Sequence, residues 1–317
     1  MCLCLFTAHP AQARVARDSA GFLLPMDALL ANFLIGISFG FILFLLGTGL
    51  SLTMGLMRIV NLSHGALYMA GGYAGLAVAK LTESLVGRDL CFVLGVLSGG
   101  ICAGLLGLIM ETAFLRRLYK RELDQVLLTI GFVYILTNLA QWIWGPVPQS
   151  GITPSLLSGS IPLGGITFPV FRLAIIAFGL VAAAGLWLFQ EKTRVGAIVR
   201  AGMDNREMTM GLGINLSLVF TGVFALGAFV AGFCGLIGAP LLGINLGVGW
   251  DALLLAMIVV IVGGTGSIQG ALVGGLVIGL VDAYGKAFFP ELAYFTMYLV
   301  LIIILLFRPS GLMGRTI

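Results

Sequence analysis

Charge is what this 317-residue sequence has least of: Asp, Glu, Lys and Arg make up 9% of it, against about 25% in a soluble domain. Hydrophobic residues reach 60% and the mean hydropathy is +1.12. So little charge cannot cover a water-soluble surface, which excludes soluble enzymes and nucleic-acid-binding domains together. The net charge of +4 serves instead to hold loops on the cytoplasmic side of a bilayer. Histidine occurs only at His9 and His64, too far apart for a recognisable zinc spacing. The five cysteines, Cys2, Cys4, Cys91, Cys102 and Cys234, form no C-x-x-C pair and read as small core residues. No G-x-x-x-x-G-K-[ST] phosphate loop occurs; Gly285, Lys286, Ala287 comes nearest, with the wrong spacing and no hydroxyl. No metal, cofactor or catalytic residue is expected of this chain, and any ATP must be hydrolysed by a partner.

What remains reads as an all-α integral membrane protein, a polytopic bundle of about eight transmembrane helices with broken or re-entrant half-helices. Residues 1–27 form an N-terminal tail in which CLCLF and AHPAQARVARD resemble a truncated secretion signal. Residues 28–317 form a single membrane domain. Its spans are expected at 28–57, tilted or jointed near Gly47 and Gly49, then at 91–110, 126–144, 171–189, 216–239 and 292–307. The stretch 60–81, with Gly65, Gly71, Gly72 and Gly75 inside, suits a broken or re-entrant helix, which is tolerated only where protein or a cavity surrounds it. A pair of half-helices meeting at glycines is expected across 252–280. The basic loop 115–124 faces the cytoplasm, the uncharged, proline-rich 145–169 faces outward, and Trp142 and Trp144 anchor the outer interface. Counting crossings puts the N-terminus outside and the C-terminus inside.

Two short segments could face a solute path. In the first, Asn61, Ser63, His64, Gly65 and Gly72 place polar groups and glycines at a membrane-depth break; in the second, Gly263, Gly264, Gly266, Ser267, Gln269 and Gly270 do the same. HGAL at 64–67 and QGAL at 269–272 hint at an internal repeat of the kind that surrounds transporter sites. The bland alternative stands beside this reading: His64 and Asn61 satisfy the broken backbone next to them, and the glycines allow close helix packing.

Glu191, Lys192, Arg194, Arg200, Asp204, Arg206 and Glu207 gather in 190–215, QEKTRVGAIVRAGMDNREMTMGLGIN, between apolar runs that carry almost no charge. Asp204 followed by Glu207 predicts a helix N-cap with its reciprocal acid, and Gly211 and Gly213 offer stops, which frames a short helix from Asn205 to about Leu212. Met203 and Met210 on one face and Met208 and Leu212 on another give that helix, with Arg206 in its first turn, apolar residues on more than one side, more use to a partner's groove than to solvent.

Thr193, Arg194, Gly196, Arg200, Ala201, Asn205, Gly213 and Ile214 resemble the cytoplasmic signature of permease subunits of branched-chain amino acid ABC transporters. NLSHGALYMAGGY at 61–73 and GGTGSIQGALVGGLVIG at 263–279 are similar to two further segments of that family. The departures are Gly72, Thr209 and Gln269, where alanine, alanine and proline are common. The resemblance implies a permease of the bacterial inner membrane that pairs with a second, homologous permease, two cytoplasmic ATP-binding subunits and an external or periplasmic solute-binding protein. The 204–212 helix would dock on an ATPase, and branched-chain or other aliphatic amino acids would be carried; urea or short amides are the related alternative. An ion-coupled secondary transporter or channel is the competing class, disfavoured because the expected spans hold essentially no interior carboxylate.

Overall fold

The computed structural model describes residues 26–57, 60–119, 121–163 and 166–314. The signal-like start, Arg58, Lys120 and Arg315 therefore lie outside the described residues. Helix α1 (Met26–Met57) is one uninterrupted helix of 32 residues, about 48 Å at 1.5 Å per residue. No joint forms at Gly47 or Gly49. Those glycines are contact points: a Cβ on Gly47 would meet the Val259 side chain at 2.7 Å, and one on Gly49 would meet the Gly227 carbonyl oxygen at 2.7 Å.

Helix α2 (His64–Val86) follows, then α3 (Arg88–Ala113), a 3-10 turn (Leu115–Leu118) and α4 (Glu122–Trp144). The connection to α5 (Val170–Lys192) contains a two-stranded antiparallel hairpin, β1 (Ser160–Leu163) and β2 (Ile166–Pro169), with Ser160 opposite Pro169. Two short helices, α6 (Arg194–Asp204) and α7 (Arg206–Gly211), lead to α8 (Leu216–Ile237). The short α9 (Ala239–Leu242) precedes α10 (Val248–Gly263), α11 (Ile268–Phe288) and α12 (Ala293–Phe307). Among the described residues, six helices are long and apolar enough to span a bilayer: α1, α3, α4, α5, α8 and α11. Helix α2 is 23 residues long but less apolar, and α10 and the apolar part of α12 are shorter. With all-α spans and, among the described residues, one small hairpin in a loop, the chain is a polytopic membrane protein.

The expected break in the first glycine-rich segment lies before α2, not within it. Helix α2 runs through Gly65, Gly71, Gly72 and Gly75 without interruption, and the non-helical stretch is 60–63. That stretch sits inside the bundle, where Asn61, Ser63 and His64 are each at most 2% exposed. Glycine is required at the crossing of α2, α3 and α8. A Cβ on Gly71 would lie 2.2 Å from the Cα of Gly232, and one on Gly99 would lie 2.5 Å from the Gly71 carbonyl oxygen. Such approach lets helices gain dispersion contacts where lipid supplies no hydrophobic drive.

Helix α1 occupies the centre. Gly36 and Gly40 admit α11, Gly49 admits α8, and Gly55 admits the turn at Gly266. A second core cluster, around Phe39, Leu43, Ile258, Val262 and Ile278, joins α1 to α10, α11 and α12. The outward faces of α3, α4, α5 and α12 carry Leu97, Ile101, Tyr134, Ile135, Val181 and Ile302, all exposed, as lipid-facing surfaces should. Trp142 is exposed as an interface anchor should be, whereas Trp144 stacks on Tyr73 with ring centroids 5.3 Å apart.

Candidate functional site

One end of the bundle gathers the ends of α1, α3, α8 and α10 with α6 and α7. The charged stretch folds as two helices where the sequence pointed to one. Thr193 caps α6, its Oγ1 accepting from the Gly196 N–H at 3.0 Å and donating to the Phe189 carbonyl at 2.5 Å. Gly196 is pressed against the preceding turn, where a Cβ would stand 2.2 Å from the Gln190 carbonyl oxygen. Val199 and Gly202 turn inward, and Arg194 and Ala201 outward. Arg200 donates to the Gln190 carbonyl and pairs with Glu191 at 3.4 Å.

Asp204 is the last residue of α6, not a cap. The Asn205 N–H donates to the Ala201 carbonyl at 2.9 Å, so the helix is still closing there. The cap of α7 is Asn205, whose Oδ1 accepts from the Met208 N–H at 3.0 Å, and Glu207 lies exposed in the first turn. Gly211 ends α7 with open space around it, and Gly213, at φ +79°, supplies the left-handed stop. Replacing Asn205 with Ala should cost α7 about 1 kcal/mol. Amide exchange at Met208 should then speed up about fivefold, a change hydrogen-exchange mass spectrometry reads directly.

Helix α7 has a held face and a free face. Thr209 is 3% exposed and donates to the Asn205 carbonyl at 2.7 Å. Arg206 turns inward, donating to the Leu56 carbonyl at the end of α1 and lying 5.3 Å over the Phe220 ring. Met208, Met210 and Leu212 are 69%, 53% and 76% exposed. Beneath them Glu111 is fully buried and accepts from the hydroxyls of Tyr119 and Thr221. Burial, with that carboxylate alongside, holds the Tyr119 phenol above its ordinary range.

The two glycine-rich segments converge on one stretch of α1. His64 Nε2 lies 3.0 Å from the Leu46 carbonyl oxygen, and Asn61 Oδ1 accepts from the N–H of Ser63 at 3.1 Å and from its hydroxyl at 2.5 Å. Gly65 is packed against Gly249 and Gly72 against Gly235. At the second segment the Gly266 N–H donates to Ser51, to its carbonyl at 3.1 Å and its Oγ at 3.0 Å. Ser267 caps α11 by accepting from the Gly270 N–H at 2.9 Å. Gly264 and Gly266 have φ of +99° and +81°, Gly263 abuts Gly270, and Gln269 is exposed. The N–H groups of Leu312 and Met313 donate to the carbonyls of Val262 and Gly263, closing the end of α10. The polar groups of the first segment are thus engaged with neighbouring backbone, and HGAL and QGAL each open a helix.

A family profile described as "Branched-chain amino acid transport system / permease component" matches residues 32–305. The chain belongs to that family. It is 29% identical over 295 residues to the high-affinity branched-chain amino acid transport system permease protein BraD of Pseudomonas aeruginosa, covering 88% of this chain and 94% of the relative. It is 27% identical over 291 residues to the corresponding protein LivH of Escherichia coli, again covering 88% and 94%. A more remote relative, the ribose import permease protein RbsC of Haemophilus influenzae, is 25% identical over 231 residues, 70% of this chain and 68% of that one. No solved structure matches the chain.

The permease keeps two carboxylates that the sequence placed at span ends. Glu111 lies within α3 and Asp282, 7% exposed, within α11. Each is tied locally, Glu111 to two hydroxyls and Asp282 to Lys286 Nζ at 2.7 Å. Neither sits unpartnered in mid-span, where ion coupling would use it. Tyr119, Thr221 and Phe220, which hold Glu111 and Arg206, carried no sequence signal because Tyr119 follows the 3-10 turn while Phe220 and Thr221 belong to α8, about 100 residues on. Basic residues separate by end. Arg116, Arg117, Arg121, Lys192, Arg194, Arg200, Arg206 and Arg308 share the end with α6 and α7, whereas Lys80, Arg88, Arg172 and Lys286 lie toward the hairpin.

Proposed function

We propose that the chain forms half of the translocation path of an ATP-driven importer for branched-chain or other aliphatic amino acids. The observation that carries this reading is the free face of α7: Met208, Met210 and Leu212 are presented to solvent by a helix clamped from behind through Arg206 and Thr209. Exposed apolar anchors on a rigid element suit docking into a partner's groove. The partner fitting that face is a cytoplasmic ATPase subunit, one for each of two related permeases. The excess of basic residues at that end supports a cytoplasmic placement for α6, α7 and residue 314, which puts the start of α1 and the hairpin on the outer side, toward a solute-binding protein, in a bacterial inner membrane. The names of BraD and LivH support the solute class.

For the path itself we place Gly263, Gly264, Gly266, Ser267, Gln269 and Gly270 on one side and Asn61, Ser63, His64, Gly65 and Gly72 on the other, both braced on α1. A push on α7 reaches α1 through Arg206 and Leu56, so docking and path share one helix. The test is reconstitution in proteoliposomes with the second permease, the ATPases and the binding protein. Binding protein loaded with leucine should raise ATP hydrolysis and drive leucine uptake. Failure of any ATPase to associate, or uptake indifferent to leucine, would overturn the assignment.

A further inference from the structure

A cavity of about 350 Å³ opens between the charged-end turns of α5 and α8, bounded by α6 and by Leu52 of α1. Phe189, Val199, Leu218 and Leu226 are typical of its wall, and Gln190 is its one side chain with hydrogen-bonding groups. Gly222 leaves the wall open, since a Cβ there would meet nothing within 4 Å. Lys192 and Arg194 stand at the rim, in the chain between the lining residues Gln190 and Val195. Both are exposed, and among the described residues neither has an ion pair or a side-chain hydrogen bond. Glu191, the acid beside them, is already matched by Arg200 at 3.4 Å.

We propose that this cavity takes one acyl chain of an anionic phospholipid, whose phosphate is held by Lys192 and Arg194. Water or a polar solute would leave its hydrogen bonds unmade against such a wall. An extended hydrocarbon chain offers this wall apolar surface and no backbone polar group to desolvate, and it is narrow enough to enter. The cavity lies where the spans end, at headgroup depth, and its rim carries the positive charge that basic inter-helix pockets use to select anionic headgroups. The site depends on the span boundaries and not on which solute is carried.

The full chain, purified in micelles containing equal phosphatidylglycerol and phosphatidylcholine of the same acyl length, should retain one phosphatidylglycerol by native mass spectrometry, with about tenfold preference. Gly222→Leu should fill the groove and cut retention of both lipids. Lys192→Glu combined with Arg194→Glu should abolish the preference while leaving chain binding in place. Equal retention of the two lipids by the unmodified protein, unchanged retention in Gly222→Leu, or a preference that survives the double charge reversal would each overturn the site.

Discussion

Replacing Gly71 by valine should leave no folded protein to purify. Its Cβ would lie 2.2 Å from the Cα of Gly232 and 2.7 Å from that residue's carbonyl oxygen, and backbone in the middle of a helix cannot rotate aside. Overpacking that side chains can absorb costs about 1–3 kcal/mol. Here α2 and α8 must move apart bodily, and α3, whose Gly99 touches both, loses its seat. Against a total stability of roughly 5–15 kcal/mol, the monodisperse peak in fluorescence-detected size exclusion should disappear. The control is Gly131→Val on α4, where nothing lies within 4 Å of the new carbon; that variant should elute like the parent.

Pairing Met208→Asp with Leu212→Asp should have the opposite character, a stable protein that no longer couples. The two side chains are 69% and 76% exposed, so little packing within the chain is lost, while two charges are carried into the contact. Anchor residues at interfaces are worth about 2 kcal/mol or more each, so with both replaced ATPase affinity should fall about 1,000-fold. Pull-down of the ATPase and uptake in proteoliposomes should both fail while size exclusion stays normal. Retained uptake would remove the docking role from this face. Arg206→Asp would be a poor substitute, because Arg206 is bonded inward to α1 and its loss disturbs the bundle itself.

The spans were legible because apolar runs of 20 residues between charges have few other uses. The charged stretch was legible as a partner-facing element but not as two helices. Its α6 places Gly196, Val199 and Gly202 inward over a glycine-containing pattern that also reads as loop, and Asp204 and Asn205 are both competent caps. Glu207, three residues after Asp204, favoured the wrong one; only the continuing hydrogen bond from Asn205 to Ala201 decides it. The glycines posed a harder problem. A glycine that breaks a helix and one that seats a neighbour look alike in sequence, and what separates Gly71 from Gly264 is a second helix in one case and a φ of +99° in the other. Glu111 looked terminal because the apolar run stops at Met110, yet two hydroxyls from elsewhere let the helix and its burial continue past it.

The position of α1 constrains how the protein can be made. It leaves the ribosome before any other described helix, but the surfaces that enclose it, Gly227 of α8, Val259 of α10 and Gly275 and Gly279 of α11, are translated more than 150 residues later. The Leu62 N–H just after α1 likewise meets its side-chain acceptor, Thr129, only when α4 arrives. Until then a glycine-lined helix and an open stretch of backbone must wait in lipid or beside the insertion machinery, since hydrocarbon offers nothing to bond them. Contacts so distant in sequence form late, which makes the half-inserted chain a natural substrate for membrane chaperones and quality-control proteases.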